Sequence, residues 1–216
     1  QMYFTAVELA EPVSKNVQRI MVATSDDLVH WSGAELALEP RHEQVAWGTD
    51  IPFANDARDQ VVFRNEDRLR MLLTVRLPNG MQSLALAEER HGTWNVVHVL
   101  ASIQEEVVES AFLYAVDGRL KITFNNWRVP GQALWTAQSL TGPWSLEATG
   151  LRGFGYEMIA LDGGYTMVSR VWGSSVLLTQ TDLGELSGTN MVFPDCYTGS
   201  AHLLPARTPV WEVNAR

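Results

Sequence analysis

The stretch LALAEERHGTW, Leu84 to Trp94, is one of four versions of a single pattern, in which an apolar run passes through a polar turn to a closing aromatic or apolar residue. VATSDDLVHW (Val22 to Trp31), LWTAQSLTGPW (Leu134 to Trp144) and a degenerate LLTQTDLGEL (Leu177 to Leu186) are the others. The closing positions 31, 94, 144 and 186 lie 63, 50 and 42 residues apart. Working outward from Trp94, the runs Val61 to Phe63, Leu69 to Val75, Gln82 to Ala87 and Trp94 to Val99 read as successive strands. They are joined by NEDR (65–68), PNG (78–80) and RHG (90–92). The order recurs through Ala111 to Ala115, Leu120 to Phe124, Ala133 to Gln138 and Trp144 to Glu147, and again through Met158 to Leu161, Tyr165 to Val171 and Val176 to Gln180. Helical periodicity is hard to find. A four-strand unit repeating every 40 to 50 residues or so predicts an all-β propeller, with the closing aromatics packed between blades. Four repeats are visible. Five blades of roughly 43 residues also fit the length, and are favoured, with the tail from Gly188 to Arg216 supplying the fifth. Met2 to Val7 reads as a second strand rather than a first, and His202 to Ala206 or Val210 to Val213 are candidates to close the ring. The expectation is one shortened propeller domain over residues 1–216.

Composition narrows the function classes. With 46% hydrophobic and 19% charged residues, the chain is not disordered, and its 16 glycines and 9 prolines follow no short period. The net charge of −9 opposes phosphate backbones and anionic lipid, so neither nucleic acid nor membrane is an expected partner. No apolar run approaches the roughly 20 residues of a membrane span, and no basic segment leads into an apolar core and cleavage site. Cys196 is alone, which excludes an internal disulfide and a cysteine-based metal site. The expected compartment is the cytoplasm, or the exterior if a leader has been removed. Gln1 ahead of Met2 fits either a tag remnant before a native start or a trimmed fragment. Lysine is confined to Lys15 and Lys121, whereas tryptophan occurs eight times.

The segments ATSDDLVHW (23–31) and LALEP (36–40) resemble the first blade of glycoside hydrolase family 32, the β-fructosidases, with its "Ser-x-Asp-Leu-x-x-Trp" strand end and "Ala-Leu-x-Pro". RDQVVF (58–63) resembles the second-blade "Arg-Asp-Pro-x-Val-Phe". ESAFLY (109–114) with Asp117-Gly118 resembles the third-blade "Glu-x-Pro-x-Leu-[Phe/Tyr]…Asp-Gly", shared with the arabinanases and xylosidases of family 43. YEMI (156–159) with Asp162-Gly163 and Tyr165 is similar to the fourth. The resemblance runs in order from Tyr3 to Thr181 and implies a five-bladed propeller with three acidic residues at the mouth of its channel. These are a nucleophile or base on the first strand of blade one, a transition-state stabiliser in "Arg-Asp-Pro", and a general acid in "Glu-x-Pro". Asp59 and Glu109 are the counterparts of the last two. The "Asp-Pro" strand of blade one lies before this chain begins or does not exist, and Gln60 and Ala111 replace both motif prolines.

Glycoside cleavage needs two carboxyl groups flanking the bond, one protonated and one anionic, held by a rigid frame. Asp59 and Glu109 fall at matching points, each a few residues ahead of an inner-strand aromatic, Phe63 and Phe112. Val107, Val108, Ala111 and Phe112 around Glu109 favour the neutral, proton-donating form, and Arg58 beside Asp59 favours the ionised form. The plain alternatives are a carboxylate at a strand start for Glu109 and a turn cap or Arg58 pair for Asp59. Asp50 or Asp56 are candidates for the vacant nucleophile, against a solvated loop. Trp47 and Trp127, outside the blade-closing register, are equally readable as walls of a sugar pocket or as core, because an indole face suits a sugar ring. Arg58, Tyr156, Glu157, Arg170, Trp172 and His202 complete the candidate substrate-binding set. His202 is similar to an axial histidine of family 43, and a plain hydrogen-bonding residue is the competing reading.

No phosphate-cradling glycine loop, His-x-x-x-His pair or nucleophile elbow is present, and neither a cofactor nor a metal is expected. The reading that follows is an enzyme of glycosidase ancestry, with Glu109 as acid and Asp59 as stabiliser, acting on a sugar or small molecule in the central funnel. The alternatives are a repurposed propeller that has lost the nucleophile and performs a non-hydrolytic reaction such as a cyclisation, and a non-catalytic sugar-binding module.

Overall fold

The computed structural model describes residues 1–116, 118–126, 132–151, 154–161, 164–171, 174–180 and 187–191. Among them, antiparallel strands form four sheets in chain order. The first holds β1 (Met2–Glu8), β2 (Val17–Ala23) and β3 (Glu35–Leu38). The second holds β4 (Ala57–Asn65), β5 (Arg68–Arg76), β6 (Gln82–Arg90) and β7 (Thr93–Val99). The third holds β8 (Glu109–Val116), β9 (Arg119–Asn125), β10 (Gln132–Ala137) and β11 (Ser145–Leu151). The fourth holds β12 (Phe154–Leu161), β13 (Gly164–Val171), β14 (Ser174–Gln180) and β15 (Ser187–Met191). Each is a meander in which sequence neighbours pair, and β4, β8 and β12 are the first strands of adjacent sheets, β8 packing on both of the others. These are propeller blades.

Short local signals make the hairpins. Asn65 pairs with Arg68 and Arg90 with Thr93, leaving two-residue turns whose twist matches that of the strands only when both turn residues have positive φ. Glu66 and Asp67 sit at +50° and +60°, and His91 and Gly92 at +54° and +81°. Gly142 is required for a different reason: a Cβ there would come within 2.8 Å of the Trp144 backbone nitrogen.

Alternation along the central strands explains how one blade serves two interfaces. A strand presents successive side chains to opposite faces. Met71, Leu73 and Val75 of β5 with Ala85 and Ala87 of β6 pack into a cluster shared with Ile20 and Leu38 of the first sheet. Leu72 with Leu84 and Leu86 turns the other way, into a cluster with Leu113, Ile122 and Phe124 of the third. These strands therefore read as nearly continuous apolar runs, as sheets covered on both faces do. Trp94 is buried between the first two blades with Tyr3 edge-on to it at 5.6 Å, and Trp144 is buried in the second cluster.

Two expectations need correction. Trp31 does not pack between blades; it is 37% exposed on the loop between β2 and β3, where its indole N–H donates to the Leu28 carbonyl of the same loop. The segment expected to open a fifth blade begins inside the fourth, where Ser187–Met191 pairs with β14 as its outer strand. His202 to Ala206 and Val210 to Val213 lie outside the described residues.

Candidate active site

The first strands of three successive blades carry the same irregularity at the same place. In β4, Arg58 is opposite Thr74 and Val61 opposite Leu72, so Asp59 and Gln60 together face one residue of β5. In β8, Glu109 is opposite Asn125 and Phe112 opposite Thr123, leaving Ser110 and Ala111 in the bulge. In β12, Phe154 is opposite Arg170 and Glu157 opposite Val168, leaving Gly155 and Tyr156. The first bulge residue adopts left-handed backbone at Asp59 (φ +53°) and Ser110 (φ +51°). A bulge of this kind bends the strand and re-aims its side chains, and a non-glycine residue in that conformation is strained by about 1 kcal/mol or more. The register also corrects the expected equivalence: Arg58, not Asp59, matches Glu109, and Asp59 matches Ser110.

The bulges bring the two expected carboxylates together. Ser110 N–H donates to Asp59 Oδ2 at 2.9 Å, tying β8 to β4. Arg58 lies between the acids, its Nη2 donating to Glu109 Oε1 at 3.1 Å and its Nε standing 3.6 Å from Asp59 Oδ2. Its Nη1 donates to Asp56 Oδ1 at 2.6 Å. Asp56 is 3% exposed, and its other oxygen accepts from Arg76 Nη2 at 3.2 Å and Gln82 Nε2 at 2.7 Å. That arrangement removes Asp56 from the candidate nucleophiles, since both carboxylate oxygens are turned inward onto three donors. Asp50 is exposed on the loop before β4.

Burial pushes the Asp59 carboxyl above its ordinary value; the Ser110 N–H and the Arg58 charge oppose this, and the Glu109 and Asp56 charges reinforce it. The direction is the reverse of what Arg58 alone would give, and the short contacts of Arg58 go to Asp56 and Glu109. Glu109 is correspondingly not in purely apolar surroundings: Val108, Ala111 and Phe112 are buried beside it, but its carboxylate meets the guanidinium. Among the described residues, two guanidinium groups, of Arg58 and Arg76, face the three carboxylates of Asp56, Asp59 and Glu109.

The remaining candidates divide. Trp47 is partly buried against the cluster between the first two blades and serves as packing there. Tyr156 falls in the β12 bulge, Glu157 directly after it, and Arg170 at the register of Thr74 and Asn125. Trp127, Trp172 and His202 lie outside the described residues. Three residues beyond the expected set belong to this end of the sheets. Arg76 and Gln82 hold Asp56, and Phe53 is 42% exposed with φ +60° and its ring 5.6 Å from the Arg76 guanidinium. The available signals were an arginine closing the apolar run of β5 and a glutamine opening that of β6. Gln60, where the motif has proline, donates to the Tyr3 carbonyl at 2.8 Å and accepts from the Thr5 hydroxyl at 3.1 Å, joining β4 to β1.

No family model matches the sequence, and no curated protein matches it. Solved structures do match by shape. Zg3597, a family 117 glycoside hydrolase of the marine bacterium Zobellia galactanivorans, superposes with a TM-score of 0.68 at 11% identity, over 88% of this chain and 60% of its own. The GH32 β-fructofuranosidase BmSUC1 of Bombyx mori gives 0.61 at 11% identity, over 88% and 47%. A thermostable family-43 glycoside hydrolase gives 0.55 at 17% identity, over 87% and 72%. The chain thus spans about half the length of the β-fructofuranosidase and three-fifths of the family 117 protein. The likeness shows the fold: blade-like antiparallel sheets arranged as in these propeller glycoside hydrolases.

Proposed function

We propose that this protein acts on a carbohydrate by carboxyl acid–base chemistry, with Glu109 and Asp59 as the acid–base pair. The observation that carries the reading is the cross-strand linkage of the two acids: Ser110 N–H to Asp59, and Arg58 to Glu109, fix carboxyl groups from adjacent blades side by side at matching bulges. Hydrolysis of a glycoside requires a rigidly held pair of this type sharing its protons unequally. Desolvation supports such an inequality on one side, since it raises the Asp59 carboxyl above its ordinary value. The two acid side chains are comparably open, Glu109 at 29% and Asp59 at 31% exposed, and Arg58 stands between them. The exposed face of Phe53 offers an apolar platform for a sugar ring next to the cluster.

A panel of aryl furanosides and pyranosides tests the reading. Turnover of at least one member is expected, and Glu109→Gln should abolish it, with a loss of about 10³-fold or more, while leaving substrate binding nearly unchanged. Turnover that survives Glu109→Gln would remove Glu109 from the mechanism. A null panel with an intact fold would favour a propeller put to non-hydrolytic use.

A further inference from the structure

Asp56 reaches Glu109 by two separate routes. Through Oδ1 it holds Arg58, whose Nη2 grips the Glu109 carboxylate. Through Oδ2 it holds Gln82, whose Oε1 accepts the N–H of Val108 at 2.7 Å, one residue before Glu109. The second route is braced: Gln82 and Glu105 exchange both backbone hydrogen bonds, and the Thr74 hydroxyl donates to the Val108 carbonyl at 3.1 Å. Side chain and main chain of Glu109 are therefore both referred to one buried carboxylate. A structural ion pair would need only one of these links. Moreover, Asp56 draws the guanidinium of Arg58 onto itself at 2.6 Å and leaves Asp59 a contact of only 3.6 Å.

We infer that Asp56 is a positioning residue of the acid pair: it sets Glu109 through Arg58 and Gln82 and holds the Arg58 guanidinium back from Asp59. The assignment of Glu109 and Asp59 as the working acids rests on the proposed function; the arrangement itself does not. Among the described residues, the charged groups facing Asp59 are Arg58 and Asp56 from its own segment and Glu109 from β8, with Arg76 behind Asp56 on β5. Replacing Asp56 by Asn removes a negative charge near Asp59 and frees a guanidinium to approach it. Both changes favour the ionised form of Asp59.

The Ser110 amide reports the outcome without any substrate, because its proton lies on Asp59 Oδ2 and its resonance follows that carboxyl. In two-dimensional amide spectra of the full chain, Ser110 is expected to titrate with Asp59, and Asp59→Asn should abolish the titration. In Asp56→Asn the midpoint should fall by about one pH unit. An unchanged midpoint in a folded variant would overturn the inference. Gln82→Met, in which Asp56 keeps both arginines, tests the main-chain route and stands in if Asp56→Asn does not fold. The amplitude of the Ser110 titration should drop by roughly half or more as Glu109 and Ser110 lose their anchor. Full amplitude would overturn that route. Because neither reading depends on turnover, an inactive glycoside panel would remove the proposed function and leave this result standing.

Discussion

Arg58→Met removes a cation that reaches all three acids of the site, and its cost can be worked contact by contact. The bond to Asp56 is short at 2.6 Å, with Asp56 buried and Arg58 partly so, and a charge-assisted bond in that setting contributes about 2 kcal/mol. The 3.1 Å bond to Glu109, partly open to solvent, adds about 1 kcal/mol, and the 3.6 Å approach to Asp59 adds little. Asp56 keeps Arg76 and Gln82, so the full penalty of a stranded buried charge is not incurred. The expected loss is about 3 kcal/mol, or roughly 9 °C in Tm for a chain of this size. Its pH dependence has a definite sign. The variant suffers from uncompensated negative charge, and Asp59, with its carboxyl raised by burial, gives up part of that charge first as pH falls. The drop in Tm should therefore be larger at pH 8 than at pH 5, measured by circular dichroism in low salt. Arg58→Lys should recover part of the loss, because a point charge can meet one carboxylate but not bridge two. A Tm within about 2 °C of the wild type at pH 8 would refute the bracing role of the guanidinium.

Asp59→Asn should raise Tm above that of the wild type at pH 7 to 8 while impairing any turnover. A carboxyl whose folded pKa is raised contributes stability below its unfolded value and loses it as pH rises through the folded value, so the neutral amide gains at high pH and the difference should close near pH 4. An equal Tm across the range would show that Asp59 is not held against its preference. Gln60→Ala deletes the bonds to the Tyr3 carbonyl and the Thr5 hydroxyl and should cost about 1 to 2 kcal/mol in urea unfolding without altering the Ser110 titration. A shifted titration would instead tie the β1 contact to the site.

The blades were legible because their signals are local and repeated. The turns at Glu66-Asp67 and His91-Gly92 and the apolar runs of β5 and β6 each mark one element, and a spacing of 40 to 50 residues or so marks the assembly. That Asp59 and Glu109 come together was also legible, since both motifs open the first strands of neighbouring blades. Their relative register was not. A bulge adds a residue to one side of a ladder, and counting back from Phe63 and Phe112 cannot see it; the offset of one residue exchanges Asp59 with Arg58 as the partner position of Glu109. The upward shift of the Asp59 carboxyl is hidden from the sequence for a related reason. Adjacency to Arg58 in sequence suggested pairing, but the guanidinium is claimed by Asp56, and only the buried hub formed by Asp56, Arg76 and Gln82 reveals the competition. Nothing in a run such as QSLALAE announces that its first residue braces an acid 27 positions away.

The repetition of the bulge explains how one fold can concentrate chemistry without any one strand carrying it. Three first strands bend at the same register, and each delivers a different pair of consecutive residues: Arg58 and Asp59, Glu109 and Ser110, Phe154 and Gly155. The backbone strain at Asp59 and Ser110 follows from the bend, since glycine, the residue that adopts left-handed backbone freely, occupies only the third of these positions. Glycine at position 59 would relieve the backbone but delete a carboxyl, and at position 110 it would keep the N–H that Asp59 accepts. Side-chain chemistry therefore justifies the strained backbone at Asp59 more directly than at Ser110, where the main chain makes the contact. The geometry is common to the blades, and the identity of the residues placed on it distinguishes an acid from its counter-ion.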